Sequence, residues 1–158
     1  PIYMGHVIAI GLRSHAPGIH KIDVLREVVD EVGGLLISAH PLRNFFNAPP
    51  FNVNLLYREW SSQPNNVEEA SEHDLFSFVD LIEVTNGANS ERENRFTSDI
   101  ANYLGINGTG GSDSHSVQGI GKSLTVFENQ ITDQASLIAE LKAGKFYTRS
   151  EERGGGKE

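Results

Sequence analysis

Asp80–His115, DLIEVTNGANSERENRFTSDIANYLGINGTGGSDSH, is the stretch whose reading decides the fold. "DLIEVTN" is short, apolar and β-branched, the composition of a buried strand. "SERENRFTSDIANYLG" then places Phe96, Ile100 and Leu104 on one helical stripe and stops at Gly105, a residue suited to the left-handed turn that ends a helix. "INGTGGSD" reads as a second short strand. Strand, helix and strand of these lengths make a βαβ unit, which joins parallel neighbours.

Working outward, the same alternation continues on both sides. Upstream, "LLISAH" (Leu35–His40) is an apolar strand that stops at Pro41. "KIDVLREVVDEVGG" sets Val24, Leu25, Val28, Val29 and Val32 at helical spacing, and "YMGHVIAIGL" (Tyr3–Leu12) reads as a buried strand. "VEEASEHDLFSFV" reads as one helix. Downstream come the strand "SLTVF", a helix "TDQASLIAELKAG" running from a Thr132 cap to Gly144, and a last strand "KFYTR". No stretch repeats at a fixed period. The expected fold is therefore α/β with a mainly parallel sheet and helices outside, either open or part of a barrel. Residues 1–150 read as one domain. Within it, residues 43–66, with Pro49, Pro50 and Pro64, form a long loop or insertion, and residues 151–158 form a polar, Gly-rich, flexible tail.

Composition limits the chemistry. The 158 residues carry a net charge of −8, which argues against a broad nucleic-acid surface. There is no cysteine, so disulfides, zinc ribbons and thiol nucleophiles are excluded and any metal must be held by His, Asp or Glu. No apolar run has the length of a membrane span and no signal peptide is visible, so no membrane contact and a cytoplasmic location are expected.

In a parallel α/β sheet, ligands collect beyond the carboxyl ends of the strands. His40 ends "LLISAH", Glu83 lies near the end of "DLIEVTN", and Asp113 and His115 follow the strand in "GTGGSDSH". In extended backbone, residues two apart point the same way, so Asp113 and His115 could face one cavity. Imidazole nitrogen and carboxylate oxygen together suit zinc, manganese or iron. Against this, a His-Pro pair often only ends a strand, and Asp-Ser often only caps the next element. Glu83 could be a ligand, a general base, a group that orients a histidine, or a carboxylate bonded to loop backbone. His6 sits in an apolar strand, where a core histidine is the ordinary reading. Arg43, three residues after His40, could hold a phosphate bidentately or pair with a neighbouring carboxylate. Tyr57 and Trp60 could stack a base or anchor the long loop, and His15, His20 and His73 read as surface or cap residues.

"GHVIAIG", "ISAHP", "IEVTNG" and "GSDSHS", in this order, resemble the later motifs of the PHP (polymerase and histidinol phosphatase) superfamily, over most of the chain from about Tyr3 to Arg149. The resemblance implies an irregular (βα)7 barrel, a cluster of up to three divalent transition metals (zinc, manganese or iron), and metal-dependent hydrolysis of a phosphate mono- or diester. It also assigns residues. His6 and His40 resemble ligands of one metal, Asp113 of a second and His115 of a third, while Glu83 matches a recurrent residue of the family. With Arg43 on the phosphate, the partner would be a small phosphorylated metabolite, a nucleotide or an oligonucleotide end.

The family's first motif, His-x-His, does not occur in this sequence. The chain therefore reads as the C-terminal part of a PHP domain, a barrel without its first strands. Alone it is expected to self-associate through open strand edges, bind metal weakly and turn over phosphoesters poorly. The alternative is a non-catalytic PHP-like binding or regulatory module. "GIGKS" invites a phosphate-loop reading, but Ser116 stands where the first glycine should be and a strand follows where a helix is needed.

Overall fold

The computed structural model describes residues 3–151. Six strands and four helices follow in the order β1 (His6–Ile10), α1 (Ile22–Glu31), β2 (Leu35–Ala39), α2 (Val67–Ser71), β3 (Leu81–Asn86), α3 (Glu91–Leu104), β4 (Gly108–Gly111), β5 (Ser123–Phe127), α4 (Gln134–Ala143) and β6 (Phe146–Ser150). Apart from Glu151, the tail read over 151–158 lies outside the described residues. No helix among the described residues is long and apolar enough to cross a membrane.

Leu35–Ala39 is apolar throughout except for Ser38 and is buried along its whole length, as a strand covered on both faces must be. Alternate side chains then feed two cores. Leu36, Ile82 and Val84 pack with Val29 of α1 and Ile100 and Ala101 of α3. Leu35, Ile37 and Leu81 pack on the other face with Leu137, Ile138 and Leu141 of α4. α3 is held at both ends. Ser90 Oγ accepts from the Glu93 N–H at 3.3 Å while Glu93 Oε2 accepts from the Ser90 N–H at 2.9 Å, and Gly105 closes the helix at φ 68°.

The strands do not close into a barrel, which overturns the (βα)7 architecture. β1, β2, β3 and β4 form one sheet in that order, and β5 pairs with β6 in a separate antiparallel sheet. The main sheet is mixed rather than mainly parallel in all its pairs: β2, β3 and β4 are parallel, but β1 runs antiparallel to β2. Alternation of apolar strands and amphipathic helices encodes spacing along the chain, not strand direction, so a pattern that suits a parallel crossover fits this arrangement equally well. β1 is correspondingly an edge strand with His6 and Ile8 exposed, not a buried one. The second sheet meets β4 through side chain and backbone. Thr125 Oγ1 accepts from the Gly110 N–H at 3.0 Å and donates to the Gly110 carbonyl at 2.9 Å. A side chain at Gly110 would put its Cβ 2.6 Å from the Leu124 carbonyl oxygen, so only glycine permits this approach.

Two local readings change as well. "VEEASEHDLFSFV" is not one helix: α2 ends at Ser71 and a separate 3-10 turn covers Asp74–Ser77. His73 breaks the run because its ring Nδ1 accepts from the Leu75 N–H at 3.1 Å, replacing the helical acceptor. It is a cap, as its type allows, but it is buried rather than on the surface. The cap of α4 is Asp133 rather than Thr132; its carboxylate accepts from the Ser136 N–H at 2.7 Å.

Candidate functional site

The antiparallel course of β1 has a direct consequence for the site. His6 is the first residue of its strand and pairs in register with Ala39, the last residue of β2. The start of β1 and the end of β2 therefore share one edge of the sheet. His6 Nδ1 stands 3.4 Å from His40 Nε2, with the two rings edge to face. His6 is thus an exposed residue beside a second imidazole, not a core histidine.

Around this pair the neighbouring strands deliver the remaining groups. Glu83, buried on β3, accepts through Oε2 from the His40 N–H at 2.7 Å and from Asn86 Nδ2 at 3.0 Å. A register shift between Glu83 and Thr85 turns this part of β3 against the glycines of β4. Gly111 faces Glu83 directly: a Cβ there would lie 2.3 Å from Oε1. Arg43 reaches across the edge. Its Nη2 donates to Asn86 Oδ1 at 3.0 Å and to Asp113 Oδ2, and its Nε donates to Asn89 Oδ1 at 3.4 Å. Asp113 Oδ2 is also 4.0 Å from His40 Nε2.

His6, His40, Arg43, Glu83 and Asp113 therefore stand together, while His115 does not join them. Asp113 has φ 46°, so the Asp-x-His segment is not the extended backbone on which a shared side-chain direction rests. His115 is exposed and its Nδ1 is 3.0 Å from the Asp113 carbonyl oxygen. The non-glycine residues with positive φ are His40 (33°), Asn44 (63°) and Asp113 (46°) among the described residues, and all three border this edge. Backbone in this sparsely populated region is held only where its surroundings fix it, and such residues concentrate at functional sites.

The electrostatics follow from the contacts. Burial, reinforced by the Arg43 charge, lowers the His40 imidazole below its ordinary value in spite of Asp113. Burial raises Glu83 against the hydrogen bonds from Asn86 and His40. Burial also pushes Asp113 upward, but the Arg43 hydrogen bond and charge, with that of His40, outweigh it and leave the carboxyl below its ordinary value. The edge thus presents neutral imidazole nitrogen beside an ionised Asp–Arg pair.

A transition metal can be tested against these positions. Two imidazole nitrogens bound tetrahedrally to one ion, each about 2.0–2.1 Å away, lie about 3.4 Å apart. His6 Nδ1 and His40 Nε2 have that separation. The pair fits as two donors. The Asp113 carboxylate nearby is engaged by Arg43, and no three His, Asp or Glu side chains among the described residues are grouped to hold one ion.

In the sequence, Gly108, Gly110 and Gly111 mark a strand whose backbone packs closely and turns sharply, whereas Asn86 has no such reading. Asn86 is 1% exposed and joins Glu83 to Arg43. Its signal was the polar residue closing an apolar strand, immediately before Gly87. Gly111 carried no signal beyond its place in a glycine-rich strand. Tyr57 and Trp60 anchor the long loop: Tyr57 Oη donates to the Ala70 carbonyl at 2.7 Å, and Trp60 stacks on His73. The segment after Gly119 leads into β5 rather than a helix, the context in which "GIGKS" fails as a phosphate loop.

Residues 91–146, from the start of α3 to the first residue of β6, match the family model described as PHP-associated. This match is consistent with the motif resemblance to a C-terminal part of the PHP superfamily. The crystal structure of PsfC from Pseudomonas syringae PB-5123 is similar in fold, with a TM-score of 0.57 and 18% identity over 92% of this chain and 54% of that one. The chain thus spans about half the length of that protein. No curated protein matches it.

Proposed function

We propose that this chain contributes part of the site of a metal-dependent phosphoesterase, acting on a phosphate mono- or diester. The observation that carries the reading is the His6–His40 pair at 3.4 Å, set beside the Arg43–Asp113 pair on one sheet edge. His6 and His40 would hold a divalent transition metal, zinc, manganese or iron. Bound there, such an ion supplies Lewis acidity toward a phosphoryl oxygen and a more acidic water. Glu83 acts as a positioning residue: its bond to the His40 N–H holds the strained backbone that aims the imidazole. Arg43 keeps its guanidinium plane fixed by Asn86, Asn89 and Asp113, which leaves Nη1 to meet a phosphoryl oxygen and offset its charge. The family match over residues 91–146 supports this reading and includes Asp113 and His115.

A second reading has its own observation. The described residues make no three-donor metal site. That favours a PHP-like module that binds its ligand at this edge without turning it over. Hydrolysis of a panel of phosphate mono- and diesters by the chain, with Mn²⁺ or Zn²⁺ and with chelator, separates the two. Metal-dependent turnover that falls at least about tenfold in His40→Ala, with folding intact, is expected of the esterase. Metal-independent binding without turnover would establish the module instead.

A further inference from the structure

A cavity of about 310 Å³ opens beside the His6–His40 pair, between the end of β2 and the loop that follows it. Away from the two histidines and Arg43, its walls include Pro41, Val53, Leu55 and Leu56. Two asparagines also border it, and both are used internally. Asn54 Oδ1 accepts from the N–H groups of Leu56 and Tyr57 at 3.0 and 3.1 Å, and its Nδ2 donates to the carbonyls of Pro41 and Arg43 at 2.8 and 2.9 Å. Asn44 Nδ2 donates to the Val53 carbonyl at 3.4 Å, and its Oδ1 accepts from Asn47 at 3.2 Å. Part of the wall backbone is committed too: the Leu56 carbonyl bonds His73 Nε2 at 2.8 Å, and the His40 N–H bonds Glu83 at 2.7 Å. The cavity is therefore polar at one end, where His6, His40 and Arg43 stand, and apolar along its wall.

We infer that this cavity receives the organic group of the substrate, and that this group is small and apolar: an aryl or short alkyl phosphate ester rather than a sugar or nucleoside phosphate. The inference rests on the phosphoester reading above. A hydroxyl drawn into the cavity gives up its water and meets asparagines whose hydrogen bonds are already made, an unfavourable exchange. An aromatic ring gives up only unfavourable contact with water and covers Val53, which is 55% exposed. The volume stands at the lower end of small-molecule sites, enough for one ring or a short chain.

Non-hydrolysable phosphonates test the inference without requiring turnover. Binding of methyl-, phenyl- and 2,3-dihydroxypropylphosphonate to the whole chain, with Mn²⁺ present, is measured by calorimetry. Phenylphosphonate is expected to bind about tenfold tighter than methylphosphonate, and the dihydroxypropyl compound no tighter than methyl. Val53→Asp should bring the phenyl-to-methyl ratio below about threefold. Saturation-transfer NMR on the unaltered chain should show the ring protons against the methyl groups of Val53 and Leu55. Equal phenyl and methyl affinities, tighter binding of the dihydroxypropyl compound, or a ring without contact to those methyl groups would each overturn the apolar assignment while leaving the anion site standing. Methylphosphonate that fails to bind, or binds undiminished to Arg43→Ala, would overturn the phosphoester reading and this inference with it.

Discussion

Replacing Gly111 with alanine probes how the site is braced. The added Cβ would stand 2.3 Å from Glu83 Oε1. Ordinary contacts between non-bonded heavy atoms are about 3.5–4.0 Å, so the carboxylate must retreat by roughly 1 Å. Glu83 is a flexible side chain, but it is 8% exposed, and its other oxygen holds the His40 N–H at 2.7 Å and Asn86 at 3.0 Å. A retreat of that size breaks both bonds and leaves two donors without an acceptor. Bonds to a charged group are each worth about 1.5–3 kcal/mol, and shifted neighbours recover part of that, so Gly111→Ala is expected to cost about 2–4 kcal/mol. Glu83→Ala removes the same bonds and should cost a similar amount. With the carboxylate gone, the alanine has room. The double variant should therefore be scarcely less stable than Glu83→Ala alone, a coupling of about 2–4 kcal/mol. Urea denaturation of the four proteins, followed by circular dichroism, gives the cycle. Costs that add to within about 0.5 kcal/mol would refute the argument that Gly111 exists to admit Glu83.

Stability should also depend on His73. Its Nδ1 accepts from the Leu75 N–H and its Nε2 bonds the Leu56 carbonyl, so the neutral ring is the bonded form, and burial lowers its pKa from the ordinary 6.5. A lowered folded value means stability fully present above about pH 6.5 and lost as the pH falls through that value toward the folded one. Thermal melts from about pH 8 to about pH 5 should show this decline, and His73→Phe should flatten it; an unchanged slope would contradict the assignment. Ile8 is 46% exposed on β1, whose outer edge is unpaired among the described residues. We predict concentration-dependent self-association through this edge, reduced in Ile8→Lys; sedimentation velocity showing a monomer throughout would contradict it.

The parts of this molecule that were legible beforehand were those where one residue type has one use. "LLISAH" reads as a short apolar strand, and "SERENRFTSDIANYLG" carries its stripe and its terminating glycine. His40, Glu83 and Asp113 could be placed on one edge because parallel strands end together. Direction was not legible, because "GHVIAIG" packs as well antiparallel as parallel. The expected barrel failed for the same reason, since closure depends on pairings between strands that no local pattern encodes. The turn that separates His115 from Asp113 is not legible either, because the left-handed backbone at Asp113 is set by its surroundings. Asn86 has no local signal of its role, and the glycines of "GTGG" announce close packing without its partner, because both roles depend on what stands opposite: a carboxylate three residues earlier in β3, and an oxygen that leaves no space for a methyl group.

The central claim is that His6 and His40 form a metal-chelating pair on a phosphoester-binding edge. A crystal of the chain grown with zinc, measured at the zinc absorption edge, tests it directly. An anomalous peak is expected about 2.0–2.1 Å from both His6 Nδ1 and His40 Nε2, absent from His6→Ala crystals. A structure with the two imidazoles still facing each other and no zinc between them, or with zinc bound only elsewhere, would contradict it.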